Sequence, residues 1–166
     1  MGSGKKTWRE KLADKKDLPK ILILEKRFPC YNAVHKMGAE VGDEIVLVNP
    51  SEVIEFKKKV PYGKLTTIVD ICKSISKRYE VKGCCSLTTG IFIMTGAKAS
   101  QEAKKAKEDL DILYWRTLKA DGSLNDKFPG GAESHKELLE NEGLKVVRKG
   151  NTFYVEDYEK YLMREW

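Results

Sequence analysis

Residues 111–124, DILYWRTLKADGSL, set Tyr114 and Trp115 directly before Arg116, with an Asp121-Gly122 turn five residues later. Two flat aromatic faces beside a guanidinium can hold a planar ligand by stacking and by cation–π attraction. The competing reading is a buried strand that runs into a hairpin. Other chemistry-bearing residues are sparse. Cys30, Cys72 and the adjacent Cys84 and Cys85 form no Cys-x-x-Cys pair, and His35 and His135 lie far apart. No metal site and no cofactor is therefore expected. Cys84 and Cys85 stand close to a helix start and to Lys82, where a thiol can ionise more readily, so they are the weak alternative for a nucleophile.

The chain has 166 residues, 41% of them apolar, which suffices for one core or for a domain with a small appendage. No apolar run approaches the roughly 20 residues needed to cross a bilayer. The opening MGSGKKTWREKL is too polar for a secretory signal, and Lys6 breaks the myristoylation pattern. These features lead us to expect a cytoplasmic monomer with reduced thiols and no membrane association. The net charge of +6 is unevenly placed: residues 52–107 hold 12 Lys and Arg against 5 Asp and Glu, whereas the remainder holds 19 against 20. A basic middle third can neutralise phosphates, with salt-dependent affinity, although lysine-rich helix faces are also common where they are merely solvated.

The elements that must position these residues follow from periodicity and caps. Thr7 and Glu10 form a capping box for a short helix bearing Trp8 and Leu12, while KILIL and DEIVLV have the composition of short strands. SEVIEFKKKV predicts a helix capped by Ser51 with Val53, Phe56 and Val60 on one face, stopped at Pro61-Tyr62-Gly63. TTIVDICKSISKRY predicts an amphipathic helix capped by Thr67 and ended by Gly83. After the turn KGCCS, residues 87–110 predict a further helix loosened at Gly90 and Gly96, giving a helix-turn-helix inside the basic third. ILYWRTL is expected as a strand, with Tyr114 and Arg116 facing one way and Trp115 the other. AESHKELLENEG predicts a helix ended by Gly143, KVVRKGNTFYV a hairpin turning at Gly150-Asn151, and EDYEKYLMREW a closing helix. The fold class expected is mixed α/β, mainly α. It comprises a winged helix-turn-helix domain over residues 51–166 and an N-terminal extension, residues 1–50, packed on its core.

Three stretches in this order resemble the DNA-binding domain of the alkylguanine-DNA alkyltransferases and, more closely, the alkyltransferase-like proteins. They are KKVPYGKLTTIVDI, YWRTLKADGSL and PGGAESHKELLENEG, within residues 51–143. The resemblance places Tyr114 where the methyltransferases carry their nucleophilic cysteine and Trp115 where they carry the activating histidine; Arg116 is retained. Glu142 falls at the orienting glutamate and, without the histidine, is expected to have nothing catalytic to orient. A phenol with a pKa near 10 and no adjacent base is a poor alkyl acceptor. The resemblance also implies a pocket for an alkylated guanine flipped out of duplex DNA, bound without repair and built from Tyr114, Trp115, Arg116, Phe128 and Gly131. Nucleic-acid contacts are expected from Tyr62, Gly63, Lys64, Thr67, Ser86, Thr88, Thr89 and Lys98, Thr88 and Thr89 by their place at a helix start, with Lys57, Lys58 and Lys59 adding charge. The sequence departs from the family at Ile68, where a tyrosine is usual, at Ser86, where an arginine is usual, and at Leu113, where a proline is usual. The Asn-hinge stretch has no counterpart in KKAKEDLDI.

The leading expectation is a non-enzymatic DNA-binding protein concerned with modified bases and DNA repair. The alternatives are an alkyltransferase using Cys84 or Cys85, and an RNA- or protein-binding module on a reused winged domain.

Overall fold

The computed structural model describes residues 7–14, 17–110 and 112–163. In chain order its elements are α1 (Trp8–Ala13), β1 (Lys20–Ile23), α2 (Tyr31–Lys36), β2 (Glu44–Leu47), α3 (Pro50–Lys58), β3 (Thr66–Thr67) and α4 (Ile68–Tyr79). These are followed by β4 (Gly83–Cys84), α5 (Ser86–Lys105), β5 (Thr117–Leu118), α6 (Gly131–Glu140) and the pair β6 (Val146–Lys149) and β7 (Thr152–Val155). Among the described residues the architecture is mixed, with helices predominating over three small sheets.

Local chemistry accounts for most of these elements. The Thr7 capping box forms as expected, with the Glu10 amide donating to the Thr7 hydroxyl and the Thr7 amide to the Glu10 carboxylate. Thr67 likewise accepts from the Asp70 amide at 3.1 Å and starts α4. α3 begins earlier than its sequence predicts. Asn49, rather than Ser51, accepts from the Glu52 amide, and Pro50 takes the first helical position, where its missing N–H costs nothing. α5 runs unbroken through Gly90 and Gly96, against the expectation of a loosened helix. At Gly96 the absent side chain is used for packing, since a Cβ there would lie 2.7 Å from Ile54 Cδ1 of α3. The closing helix is reduced to a 3₁₀ turn at Tyr158–Tyr161, and the last three residues of that stretch lie outside the described residues.

The extension and the basic third share a sheet. β1 pairs antiparallel with β2, Lys20 opposite Leu47, and β2 pairs parallel with β4, Val46 opposite Cys84. KGCCS is thus partly a strand. α2 packs so closely over it that a Cβ on Gly83 would lie 2.6 Å from Val34 Cγ1. α3, α4 and α5 enclose the main core, in which Val53, Phe56, Ile71, Ile75, Phe92 and Ile93 are buried. A second core of Leu65, Leu118, Leu124, Leu139, Leu144 and Val155 sits under the β6–β7 hairpin. Between the two cores run residues 112–118.

Candidate functional site

The first correction concerns that connecting segment. Tyr114–Arg116 is a single 3₁₀ turn, and only Thr117–Leu118 is strand, paired parallel with Thr66–Thr67. The turn replaces strict alternation with fanning: Tyr114 and Arg116 are both buried, Trp115 is half-buried, and yet Trp115 and Arg116 reach the same carboxylate. Alternating aromatic and apolar types cannot distinguish such a turn from a strand, because both bury bulky residues at a sheet margin.

That carboxylate is Glu142, just beyond α6. It accepts from the Trp115 indole Nε1 at 2.6 Å, from Arg116 Nε at 2.9 and 3.0 Å, and from the Gly63 amide at 2.9 Å. The Glu142 side chain is 5% exposed and that of Arg116 9%, so the ion pair lies largely out of water. Arg116 also donates to the Val60 carbonyl at 2.8 Å, and Tyr62 donates its hydroxyl to the Asn141 carbonyl at 3.0 Å. Glu142 thus orients the Trp115 indole, a hydrogen-bond donor with no acid–base chemistry of its own.

Two further buried groups hold the turn from the opposite side, and sequence reasoning missed both. The Asn125 amide donates to His135 Nδ1 at 3.1 Å, which leaves the proton on Nε2 to be donated to the Trp115 carbonyl at 2.8 Å. Burial lowers the pKa of this histidine to about 4, so it is neutral and locked in one tautomer. Lys57, 1% exposed, donates to the Tyr114 carbonyl at 3.3 Å and to the Thr117 hydroxyl. Burial, reinforced by the Arg116 charge, lowers its pKa to about 7. Lys57 is therefore no part of a docking surface. The signal was in the spacing: residue 57 lies four after Val53 and three before Val60, on the apolar face of α3.

The expected pocket residues converge, although not as an open aromatic slot. Tyr114 is 5% exposed and meets both Trp115 and Phe128 edge-to-face, at centroid distances of 5.4 and 5.2 Å. Burial raises its phenol pKa. Trp115 is the more accessible of the two aromatics, and the Lys104 ammonium lies 5.8 Å from its ring centre. Gly131 opens α6, directly after Gly130. Both have positive φ, +83° at Gly130 and +75° at Gly131, and so form a sharp bend beside Phe128 that side chains disfavour.

The expected nucleic-acid contacts divide by burial. Tyr62, Lys58, Lys59 and Lys64 are exposed, Gly63 is half-buried with φ +77°, and Lys98 is half-buried with its ammonium 4.5 Å above the Trp8 ring. Ser86 and Thr88 are half-buried in the first turn of α5. Thr67 and Thr89 are buried and face inward instead: Thr67 caps α4, and Thr89 hydrogen-bonds Cys84 Sγ at 3.4 Å. Cys84 is fully buried and Cys85 is 4% exposed, which removes them as nucleophiles toward a DNA base. The Cys84 thiol pKa is lowered mainly by a hydrogen bond from Cys72, with no route to solvent. Among the described residues, no group of His, Cys, Asp and Glu is arranged to hold a metal ion, and no helix is long and apolar enough to cross a membrane.

No protein-family model and no curated protein matches this sequence. Solved structures do match. The fold is similar to that of an alkyltransferase-like protein of S. pombe. The chain superposes on S. pombe ATL, solved in complex with DNA, with a TM-score of 0.50 and 15% identity over 70% of this chain and 94% of that one. A second structure, S. pombe Atl1 in complex with damaged DNA containing O6-carboxymethylguanine, matches at 18% identity and a TM-score of 0.49 over the same shares.

Proposed function

We propose that this protein binds DNA without acting on it as an enzyme and recognises modified bases, alkylated guanine first among them, for repair. The observation that carries the reading is the Glu142–Trp115–Tyr114 arrangement. It matches the order of an alkyl-transfer triad, but an indole stands where a proton shuttle is required and a phenol without a base stands at the nucleophile position. On this proposal the half-buried Trp115 contacts the base, and no activated acceptor for its alkyl group stands beside it.

In this reading α4 and α5 are the helix-turn-helix and the β6–β7 hairpin is the wing. α5 lies along the DNA, with Ser86 and Thr88 at its leading end. Lys58, Lys59 and Lys64 neutralise backbone phosphates. Trp115, backed by Tyr114 and Phe128, provides the aromatic surface against which an extruded base stacks; recovering the few kcal/mol lost in unstacking needs such a surface. Because Ile68 and Ser86 stand at the family's Tyr and Arg positions, extrusion relies on bases that are already weakly stacked or paired.

The test is a competition at fixed salt among duplex DNA carrying O6-alkylguanine, unmodified duplex DNA and duplex RNA, followed by intact-mass measurement of the protein. Preference for the alkylated duplex with an unchanged protein mass is expected. Equal affinities for all three would remove base recognition and leave only charge. A mass gain equal to the alkyl group would make the protein a transferase.

A further inference from the structure

A cleft of about 440 Å³ opens between α1, the second half of α5 and the loop before α6, and its walls include Trp8, Lys98, Glu102, Lys105 and Lys127. Its charge is one-sided. Glu102 is the acid among these residues, and it is already committed: it accepts from the Trp8 and Arg9 amides at 3.1 and 3.3 Å and lies 3.5 Å from the Arg9 guanidinium. Those donors, the Trp8 amide foremost, hold its pKa below the usual value. Lys98, Lys105 and Lys127 have no carboxylate partner among the described residues, and Lys98 is seated over the Trp8 ring. Compensation of the helix dipole explains lysines in the last turn of α5. It does not explain Lys98, two turns earlier, or Lys127, which is on another element.

We propose that this cleft is a second binding site for the phosphodiester backbone of DNA, created by the extension. α1 supplies the Trp8 wall and, through Arg9, the counter-charge of Glu102, which leaves three lysines lining one space. Lys127 directly precedes Phe128, whose ring packs on Tyr114, so the cleft shares a loop with the proposed base-binding surface. The inference rests on the proposed DNA-binding function and adds to it a clamp on the backbone flanking the recognised base.

Removing one ammonium that neutralises a phosphate lowers the slope of log affinity against log salt by ~0.9 on duplex DNA. The experiment is a salt titration of binding to a fluorescein-labelled duplex by wild-type protein and by the Lys98→Gln/Lys105→Gln/Lys127→Gln and Lys98→Arg/Lys105→Arg/Lys127→Arg variants, with melting curves to establish folding. The glutamine variant is expected to lower the slope by about 2–3 and to weaken binding on the order of a hundredfold at about 0.15 M salt, while the arginine variant retains both. Wild-type binding with an unchanged slope in the folded glutamine variant overturns the clamp but leaves the proposed function standing. Should wild-type protein not bind DNA, the proposed function fails, and the clamp fails with it.

Discussion

Replacing Glu142 by Gln tests the central claim about the site. Each carboxylate oxygen faces two donors: Oε1 receives the Gly63 amide and Arg116 Nε, and Oε2 receives Trp115 Nε1 and Arg116 Nε. An amide NH₂ at either position would therefore point at N–H groups, and the Arg116 charge, only 9% exposed, would lose its counter-ion. Breaking one side of a buried ion pair costs about 3–5 kcal/mol. For a chain of this size that corresponds to a fall in Tm of roughly 6–20 °C, at ~2–4 °C per kcal/mol. Urea unfolding followed by circular dichroism at 222 nm, together with calorimetry, gives the destabilisation directly. Pairing Glu142→Leu with Arg116→Met should recover much of it, because removing both charges together leaves neither one stranded. A destabilisation below about 1 kcal/mol for Glu142→Gln would refute the reasoning, since it would mean that water or an alternative rotamer already satisfies Arg116.

The remaining predictions concern the groups on the other side of the turn and the packing of α5. His135 has a folded pKa of about 4, below the 6.5 of the free side chain, so its contribution is complete above pH 6.5 and is lost as pH falls toward 4, amounting to about 3 kcal/mol. His135→Gln, which can accept from Asn125 and donate to Trp115, should fold and show a flatter stability profile between pH 6.5 and 4; an unaltered profile would place the acid sensitivity elsewhere. Lys57 has a folded pKa of about 7 against 10.5 for the free side chain, so the folded state holds fewer protons in that window and stability gains as pH rises through it. Subtracting the pH profile of Lys57→Met from that of the wild type isolates this slope, and parallel profiles would show that the amine is solvated. Gly90→Ala meets nothing closer than 3.9 Å and should raise stability by about 0.5–1 kcal/mol, read from the urea midpoint. Gly96→Ala, at 2.7 Å from Ile54, gains the same propensity but must displace that side chain, an overpacking cost of about 1–3 kcal/mol. If the two variants are equally stable, α3 and α5 are less tightly apposed than that distance implies.

Residue order alone determined a good deal about this protein. The Thr7 and Thr67 caps, the amphipathic face of α4, the Gly150-Asn151 hairpin and the concentration of positive charge in the middle third are all local or compositional, and each arises from interactions spanning a few residues. The order of the Pro-Tyr-Gly turn, the Tyr-Trp-Arg stretch and the Gly-Gly helix likewise led to the fold later seen in the superposition. What the chain could not reveal by itself was what its inward-facing polar groups would meet. Lys57 is one of three consecutive lysines, yet it alone is buried, because the Tyr114 carbonyl and the Thr117 hydroxyl, 57 and 60 residues away, meet it at the one point of α3 that faces them. Trp115 lies 27 residues from Glu142 and Gly63 lies 79, so their convergence depends on how α6 and the 3₁₀ turn pack. Burial converts these groups from solvated charges into fixed hydrogen bonds with shifted pKa values. Burial is a property of the assembled chain, since desolvation depends on everything that surrounds a group in space.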